Sequence, residues 1–237
     1  MKREKNVERL SSFQIPLNHT DYIVYKSYHY YLFSCLEKYA KGKLLDIGCG
    51  NKPYSTIVSP FIESYTGCDI VQSSDKVVDI LCQATDIPLE SNSFDTVIST
   101  QTIEHVADHQ RLVNEAYRLL RPGGYFVISG PMYWPLHEEP FDFFRFTKYG
   151  FRYILEAAGF KIVEENANGG KWAVFGQVLL HTLNSNLNKN NGFKWALMRR
   201  VYRILCINMI LNTFFIKMDE KFYDESNTIN YVIVTKK

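Results

Sequence analysis

Apolar and polar positions along this chain repeat with two different periods, and the switching between them outlines an α/β protein. Leu32, Phe33, Leu36 and Tyr39 recur at helical spacing, which predicts a helix over 18–40 closed by Gly42. Short apolar runs of strand character follow at Leu44–Gly48, Tyr65–Ile70, Val77–Ile80, Phe94–Ser99 and Tyr125–Ser129. Before the last of these, Leu112, Val113, Ala116, Leu119 and Leu120 line one side of a helix over 108–120, which Pro122-Gly123-Gly124 breaks. Thr147 is suited to cap a helix through Ala158, with Gly159 as its stop. Lys161–Val163 begins a sixth strand, and alternation over 229–235 predicts a seventh. Strands alternating with helices imply parallel βαβ units, hence a doubly wound sheet. The stretch 168–226 interrupts the alternation with two apolar helical segments separated by the polar run Asn184–Gly192. It reads as an α-helical insertion before the last strand, within a single domain over 1–237.

Composition narrows the class. With 46% hydrophobic and 22% charged residues among 237, the chain can bury a sizeable core, which excludes collagen-like, globally disordered and polytopic membrane classes. The net charge of +2 conceals an asymmetry. From Asn166 to Met218 there is no acid, but there are Lys171, Lys189, Lys194, Arg199, Arg200, Arg203 and Lys217. Such a segment suits a helical cap, a homodimer face or an interfacial helix, over 193–217, that meets anionic lipid or a lipid-linked acceptor. The rest of the chain is slightly acidic, so no nucleic acid partner is expected. Five scattered cysteines without a C-x-x-C pair read as reduced thiols of a cytoplasmic protein, in contact at most with the inner face of the membrane. The charged start, Met1–Arg9, has no apolar run behind it, so no signal peptide is expected. The longest uncharged apolar run, Ile204–Ile216, is interrupted by Asn208 and Asn212 and falls short of the about 20 residues of a spanning helix.

The chemistry concentrates at strand ends. Leu45-Asp46-Ile47-Gly48-Cys49-Gly50-Asn51-Lys52-Pro53-Tyr54 is a strand running into a turn whose glycines let backbone approach a ligand. Asp69 ends the next strand and can accept both hydroxyls of a ribose. A nicotinamide dinucleotide would want a third glycine where Pro53 stands, and proline offers a pyrophosphate no N–H, so a nucleoside without a diphosphate fits better. Asp86 can take the exocyclic amine of an adenine, with Ile87 against the ring. Ser99-Thr100-Gln101-Thr102-Ile103-Glu104-His105 lies at the C-terminal end of the fourth strand, the edge where open α/β sheets bind ligands.

The stretches LLDIGCGNKPY, YTGCDI, ATDIPLESNSFDTVISTQTIEHV and EAYRLLRPGGYFVISGP, spread in this order over 43–131, resemble a class I S-adenosylmethionine-dependent methyltransferase of the small-molecule type 11 kind. The resemblance implies a Rossmann-like seven-stranded sheet with an antiparallel last strand, which NYVIVTKK fits, and a cofactor-binding core over 43–166. It implies S-adenosylmethionine as cofactor, S-adenosylhomocysteine as product, and no metal. Carried over by position, Asp46 orders the turn, and Gly48, Cys49 and Gly50 present backbone to the cofactor. Asp69 binds the ribose and Ile70 packs on adenine. Asp86 and Ile87 recognise the adenine edge, and Thr100 and Gln101 line the methionine end. Lys52 departs from the family, which usually has a third glycine there.

The aromatic stretch from Pro131 to Thr147 follows the fifth strand and resembles a subgroup often found with polysaccharide biosynthesis. A hydroxyl acceptor must lose a proton, and histidine is suited to take it near neutral pH. His137 is therefore the candidate base, with Asp142 as its orienting partner or a base itself. Arg145 either holds an anionic acceptor or pairs with Asp142. His105 and Trp134 are the remaining acceptor-side candidates. His105 and His109, with Glu104, imitate a metal site, but no third ligand has fitting spacing. The expected function is methyl transfer to a small acceptor, with the hydroxyl of a sugar or glycan precursor foremost. A lipid or quinone-like acceptor and a catalytically silent cofactor-binding subunit are the alternatives.

Overall fold

The computed structural model describes residues 13–237, so the charged start that bears on a signal peptide lies outside the described residues. The chain divides into two compact units, one holding Tyr31–Asn166 with Asn230–Lys237, the other Phe13–Tyr30 with Ala167–Ile229.

The first unit is built on a seven-stranded sheet of order β3-β2-β1-β4-β5-β7-β6. Its strands are β1 (Gly42–Ile47), β2 (Ile62–Asp69), β3 (Ile80–Leu81), β4 (Phe94–Thr100), β5 (Leu120–Pro131), β6 (Lys161–Asn168) and β7 (Asn230–Lys236). β1 pairs in parallel with β2 and β4, as do β2 with β3 and β4 with β5. β7 runs antiparallel to β5, with Ile128 opposite Ile233. Leu44, Leu45 and Ile47 in β1, and Val97 and Ile98 in β4, are fully buried, as strands covered on both faces require. The Rossmann-like fold with its antiparallel last strand is as expected.

Two helices of this unit begin where the sequence provides caps. Asp108 accepts from the Arg111 amide at the start of α3 (His109–Leu119), and Thr147 from the Gly150 amide at the start of α4 (Lys148–Ala157). Two elements differ from expectation. The third strand covers only Ile80–Leu81, because the Val77 and Val78 amides are taken by the side chains of Ser73 and Gln72. The Pro122-Gly123-Gly124 run does not precede β5 but forms an irregularity inside it. Phe94 pairs with Leu120 before the register shifts to Thr96 opposite Tyr125. Between β1 and β2 a short helix, α2, spans Ser55–Val58, and α1 (Tyr22–Tyr39) precedes the sheet.

The second unit contains three helices, α5 (Lys171–Lys189), α6 (Phe193–Ile204) and α7 (Ile207–Lys221), where two apolar segments were expected. The polar run starting at Asn184 is helical as far as Lys189, since Asn184 turns its amide onto Leu180 O and Asn208 Oδ1 and so does not compete with the helix. The second segment splits at Cys206, whose φ of 50° lies in the left-handed region. α5 and α7 meet closely at Gly176, where a Cβ would fall 2.5 Å from the Phe215 ring. Two buried polar side chains pin α7. Asn212 donates to the Leu17 and His19 carbonyls, and Asp219 Oδ2 and Oδ1 accept from the Gly170 and Ala173 amides.

Candidate active site

Because β1, β2, β4 and β5 are parallel, their C-terminal ends share one edge of the sheet, and the candidate residues of the first unit gather there. After β1 the chain turns through Gly48, with φ 80°, and the Gly48 and Cys49 amides both donate to Cys68 O. A Cβ on Gly48 would fall 2.3 Å from Thr102 Oγ1, so only glycine fits between these two strand ends. Gly50 N donates to Asp69 Oδ2 at 3.1 Å, and Val71 N reaches Asp69 Oδ1 at 3.3 Å. Two backbone amides thus hold the Asp69 carboxylate at the end of β2. Ile70 beside it is 46% exposed, an apolar surface suited to a flat base. Asp46 lies behind the turn, buried, and accepts the Tyr65 hydroxyl at 2.5 Å. Burial and that carboxylate push the Tyr65 phenol well above its ordinary range, so its proton stays on.

Lys52 takes a left-handed conformation, φ 51°, at the place where the family usually has glycine. Its ammonium is anchored at 2.5 Å on Asp79, which also accepts from the Gly67 amide. The ion pair accompanies a backbone geometry that costs a residue with a Cβ on the order of 1 kcal/mol. Neither Asp79 nor Tyr65 was legible as part of the turn, since Tyr65 acts from β2 and Asp79 from the loop before β3.

Asp86 is exposed on the loop after β3, beside Cys82, Gln83, Thr85, Pro88 and Arg111, which line an open pocket. Ile87 has a different place from the one expected. Its side chain is buried, its amide donates to Glu115 Oε2 and its carbonyl accepts from Arg118, so it anchors the loop that carries Asp86. Thr100 and Gln101 are half-buried at the end of β4, with Gln101 held to Ser129 of β5 through backbone and side chain.

The acceptor-side candidates form one cluster. Asp142 accepts two bonds from Arg145, at 2.6 and 2.7 Å, and one from the His137 amide at 3.0 Å. Its side chain is 1% exposed. Burial works against its charge, but Arg145 and His137 outweigh it and hold the carboxyl down at about 2. Asp142 is therefore an ionised, fully occupied anchor for His137, whose Nδ1 lies 3.2 Å from Oδ2. Arg145 also donates to the Trp134 and Pro135 carbonyls, bracing the whole loop. The His105 and His137 rings meet edge-on at 4.6 Å. His109 is elsewhere, packed on Phe144 and Phe146.

A doubly wound sheet with a glycine turn and a strand-end carboxylate is a class of arrangement suited to a nucleoside. Comparison with known proteins narrows that class. Residues 45–128 match the family described as "Methyltransferase domain". A protein of Mycolicibacterium smegmatis described as "Probable S-adenosylmethionine-dependent methyltransferase" is 29% identical over 50% of this chain and 52% of its own. The chain thus spans about half the length, or less, of the curated relatives it matches. Among solved structures, the 1,6-didemethyltoxoflavin-N1-methyltransferase of Burkholderia thailandensis, with S-adenosylhomocysteine bound, superposes over 92% of this chain and 79% of its own. The TM-score is 0.57 and the identity 14%. The cyclase SpnF gives a TM-score of 0.55 at 17% identity, over 87% of this chain and 80% of its own, so likeness of fold does not carry a reaction with it. Over residues 45–128 the core of this chain is similar to the S-adenosylmethionine-dependent methyltransferases.

Proposed function

We propose that this chain transfers the methyl group of S-adenosylmethionine to a hydroxyl of a small acceptor, with a sugar or glycan precursor as the preferred substrate class. One observation supports it above the others. The His137–Asp142–Arg145 loop follows β5 at the same sheet edge as Gly48, Gly50 and Asp69. In this reading Asp69 accepts the ribose hydroxyls, Ile70 covers the adenine, Asp86 meets the adenine amine, and Thr100 and Gln101 flank the methionine end. The reaction is an in-line displacement at a sulfonium, and the protein's contribution is alignment and exclusion of water. The acceptor hydroxyl lies at His137, where its proton is lost. Asp142 orients that ring, and Trp134 and His105 flank the acceptor.

The test is label transfer. Methyl-labelled S-adenosylmethionine is incubated with the protein and fractionated cell extract, and products are partitioned between water and butanol. Label in a carbohydrate-containing product supports the reading, and its loss in His137→Ala with retained cofactor binding supports the assigned role. A preparation that binds cofactor yet moves no label points instead to a silent binding subunit.

A second reading concerns the surface of the second unit. No residue of α6 is buried, although Phe193, Leu197, Val201 and Ile204 recur at helical spacing, with Phe193 87% exposed. Lys194, Arg200 and Arg203 accompany them. No single helix among the described residues is long and apolar enough to cross a membrane. We propose that α6 lies on an anionic bilayer surface, where lipid-linked acceptors reside. Flotation with phosphatidylglycerol vesicles but not with phosphatidylcholine vesicles is the expected result, and equal flotation, or none, overturns it.

A further inference from the structure

Immediately after β4 the chain makes a tight turn, Ile103–His105, that buries Glu104 to 1% exposure. Its two carboxylate oxygens accept no hydrogen bond from another residue. A buried carboxyl group without a partner costs a few kcal/mol, so such a group calls for a ligand. The groups around it are prepared for one. His105 Nδ1 lies 2.8 Å from Phe141 O, and a carbonyl only accepts, so the ring hydrogen is on Nδ1 and the lone pair on Nε2. That Nε2 is 4.0 Å from Glu104 Oε1. His137 Nδ1 likewise faces two acceptors, Asp142 Oδ2 and Pro135 O, each at 3.2 Å, which leaves its lone pair on Nε2. One ligating atom from each of Glu104, His105 and His137 lies within 4.8 Å of the other two.

We propose that Glu104, His105 and His137 bind a divalent transition-metal ion of the zinc class. Two imidazoles and one carboxylate are the donor set such ions favour over magnesium or calcium, and three protein ligands leave a position for water or an acceptor oxygen. Outer hydrogen bonds of the required kind are in place. Phe141 O fixes one ring and Asp142 fixes the other, itself held by Arg145. Asp142 and Glu138 add negative charge beside Glu104, with the Arg145 guanidinium acting against them. The His137 side chain is 31% exposed, so the ion has an entry path. The proposal deepens the methyl-transfer reading and rests on it for the ion's role. An ion held there would make a coordinated acceptor hydroxyl more acidic, its proton passing to solvent water, and His137 would then serve as a ligand in place of the base.

The test uses the whole chain, stripped with chelator and titrated with Co²⁺, with S-adenosylhomocysteine binding measured on the same samples by calorimetry. The expected result is one Co²⁺ per chain, with visible d–d absorption, displaced by Zn²⁺. Affinity should fall at least about 100-fold in Glu104→Gln and in His137→Ala, in keeping with loss of one of three ligands. Both variants should bind S-adenosylhomocysteine as the parent does, which certifies their fold. If Glu104→Gln fails that check, His137→Ala, changed at a partly exposed side chain, decides alone. No Co²⁺ binding by the parent, or equal binding by a folded variant, overturns the site. Failure of the parent to bind S-adenosylhomocysteine breaks the methyltransferase reading instead and leaves the cobalt result standing.

Discussion

Each unit of this protein buries a carboxylate, and the two are treated in opposite ways. In the second unit Asp219 gives both oxygens to the first amides of α5, from Gly170 and Ala173. In the first unit Glu104 gives its oxygens to no other residue, and burial pushes its carboxyl up to about 8. A helix start is a ready set of donors with a favourable dipole, so Asp219 is a structural tie. Glu104 stabilises nothing visible in the fold, and its burial has to be explained by what it binds. Asp69 stands between them. Backbone amides reach both its oxygens at the end of β2, the edge where the candidate cofactor residues gather.

This gradient can be broken at each step. Asp219→Ala removes two charge-assisted bonds and leaves buried donors behind, so unfolding stability should fall by about 3 kcal/mol, read from a urea transition. A loss below about 1 kcal/mol would put Asp219 on a level with an ordinary surface acid. Asp69→Ala should weaken S-adenosylhomocysteine by about 30- to 100-fold, or about 2–3 kcal/mol, with the melting temperature nearly kept. Unchanged affinity in calorimetry removes Asp69 from the ribose.

The two units also bury different histidines. His29, in the second unit, is stacked on Tyr25 and driven by burial from 6.5 to about 4. It is neutral when folded and takes up a proton on unfolding between those values. Its contribution is therefore complete above about pH 6.5 and is lost as pH falls towards about 4, a loss of about 3 kcal/mol. His29→Phe should flatten that acid limb, and an unchanged limb would assign it to other groups. The smallest effect belongs to Glu104→Gln in metal-free protein. It breaks no bond to another residue and relieves a buried acid, so stability should hold or rise by up to about 1 kcal/mol. A clear loss by calorimetry would mean that Glu104 is a structural tie like Asp219.

What could be read from the sequence was local. The caps at Asp108 and Thr147 act within three residues of their own backbone, and the run from Leu45 to Tyr54 and the strand-end Asp69 are marked by the residue pattern around them. Lys52 in place of glycine was visible, but its accommodation by Asp79 was not, because the ion pair joins two loops far apart in sequence. The acceptor-side cluster was legible only in pieces. His105 and His109 stand four apart, yet the tight turn ends at His105, Val106 is extended and α3 begins only at His109. Helical spacing therefore never applied to that pair. The partner that does meet His105 is His137, delivered from the end of another strand. Ile87 was misjudged for a related reason, since apolarity alone does not tell a ring contact from a core anchor.

The strand order has a consequence for how the chain is made. β7 lies between β5 and β6, although the whole helical segment separates β6 from it in sequence. As the chain emerges, β6 has no strand to join until β7 arrives to bridge it. Until then β5 presents an open flank rich in Phe126, Val127 and Ile128. The nascent chain must therefore keep a sticky edge from pairing with strangers while three helices are still being synthesised. The sheet cannot be completed before β7 is available to bridge β5 and β6.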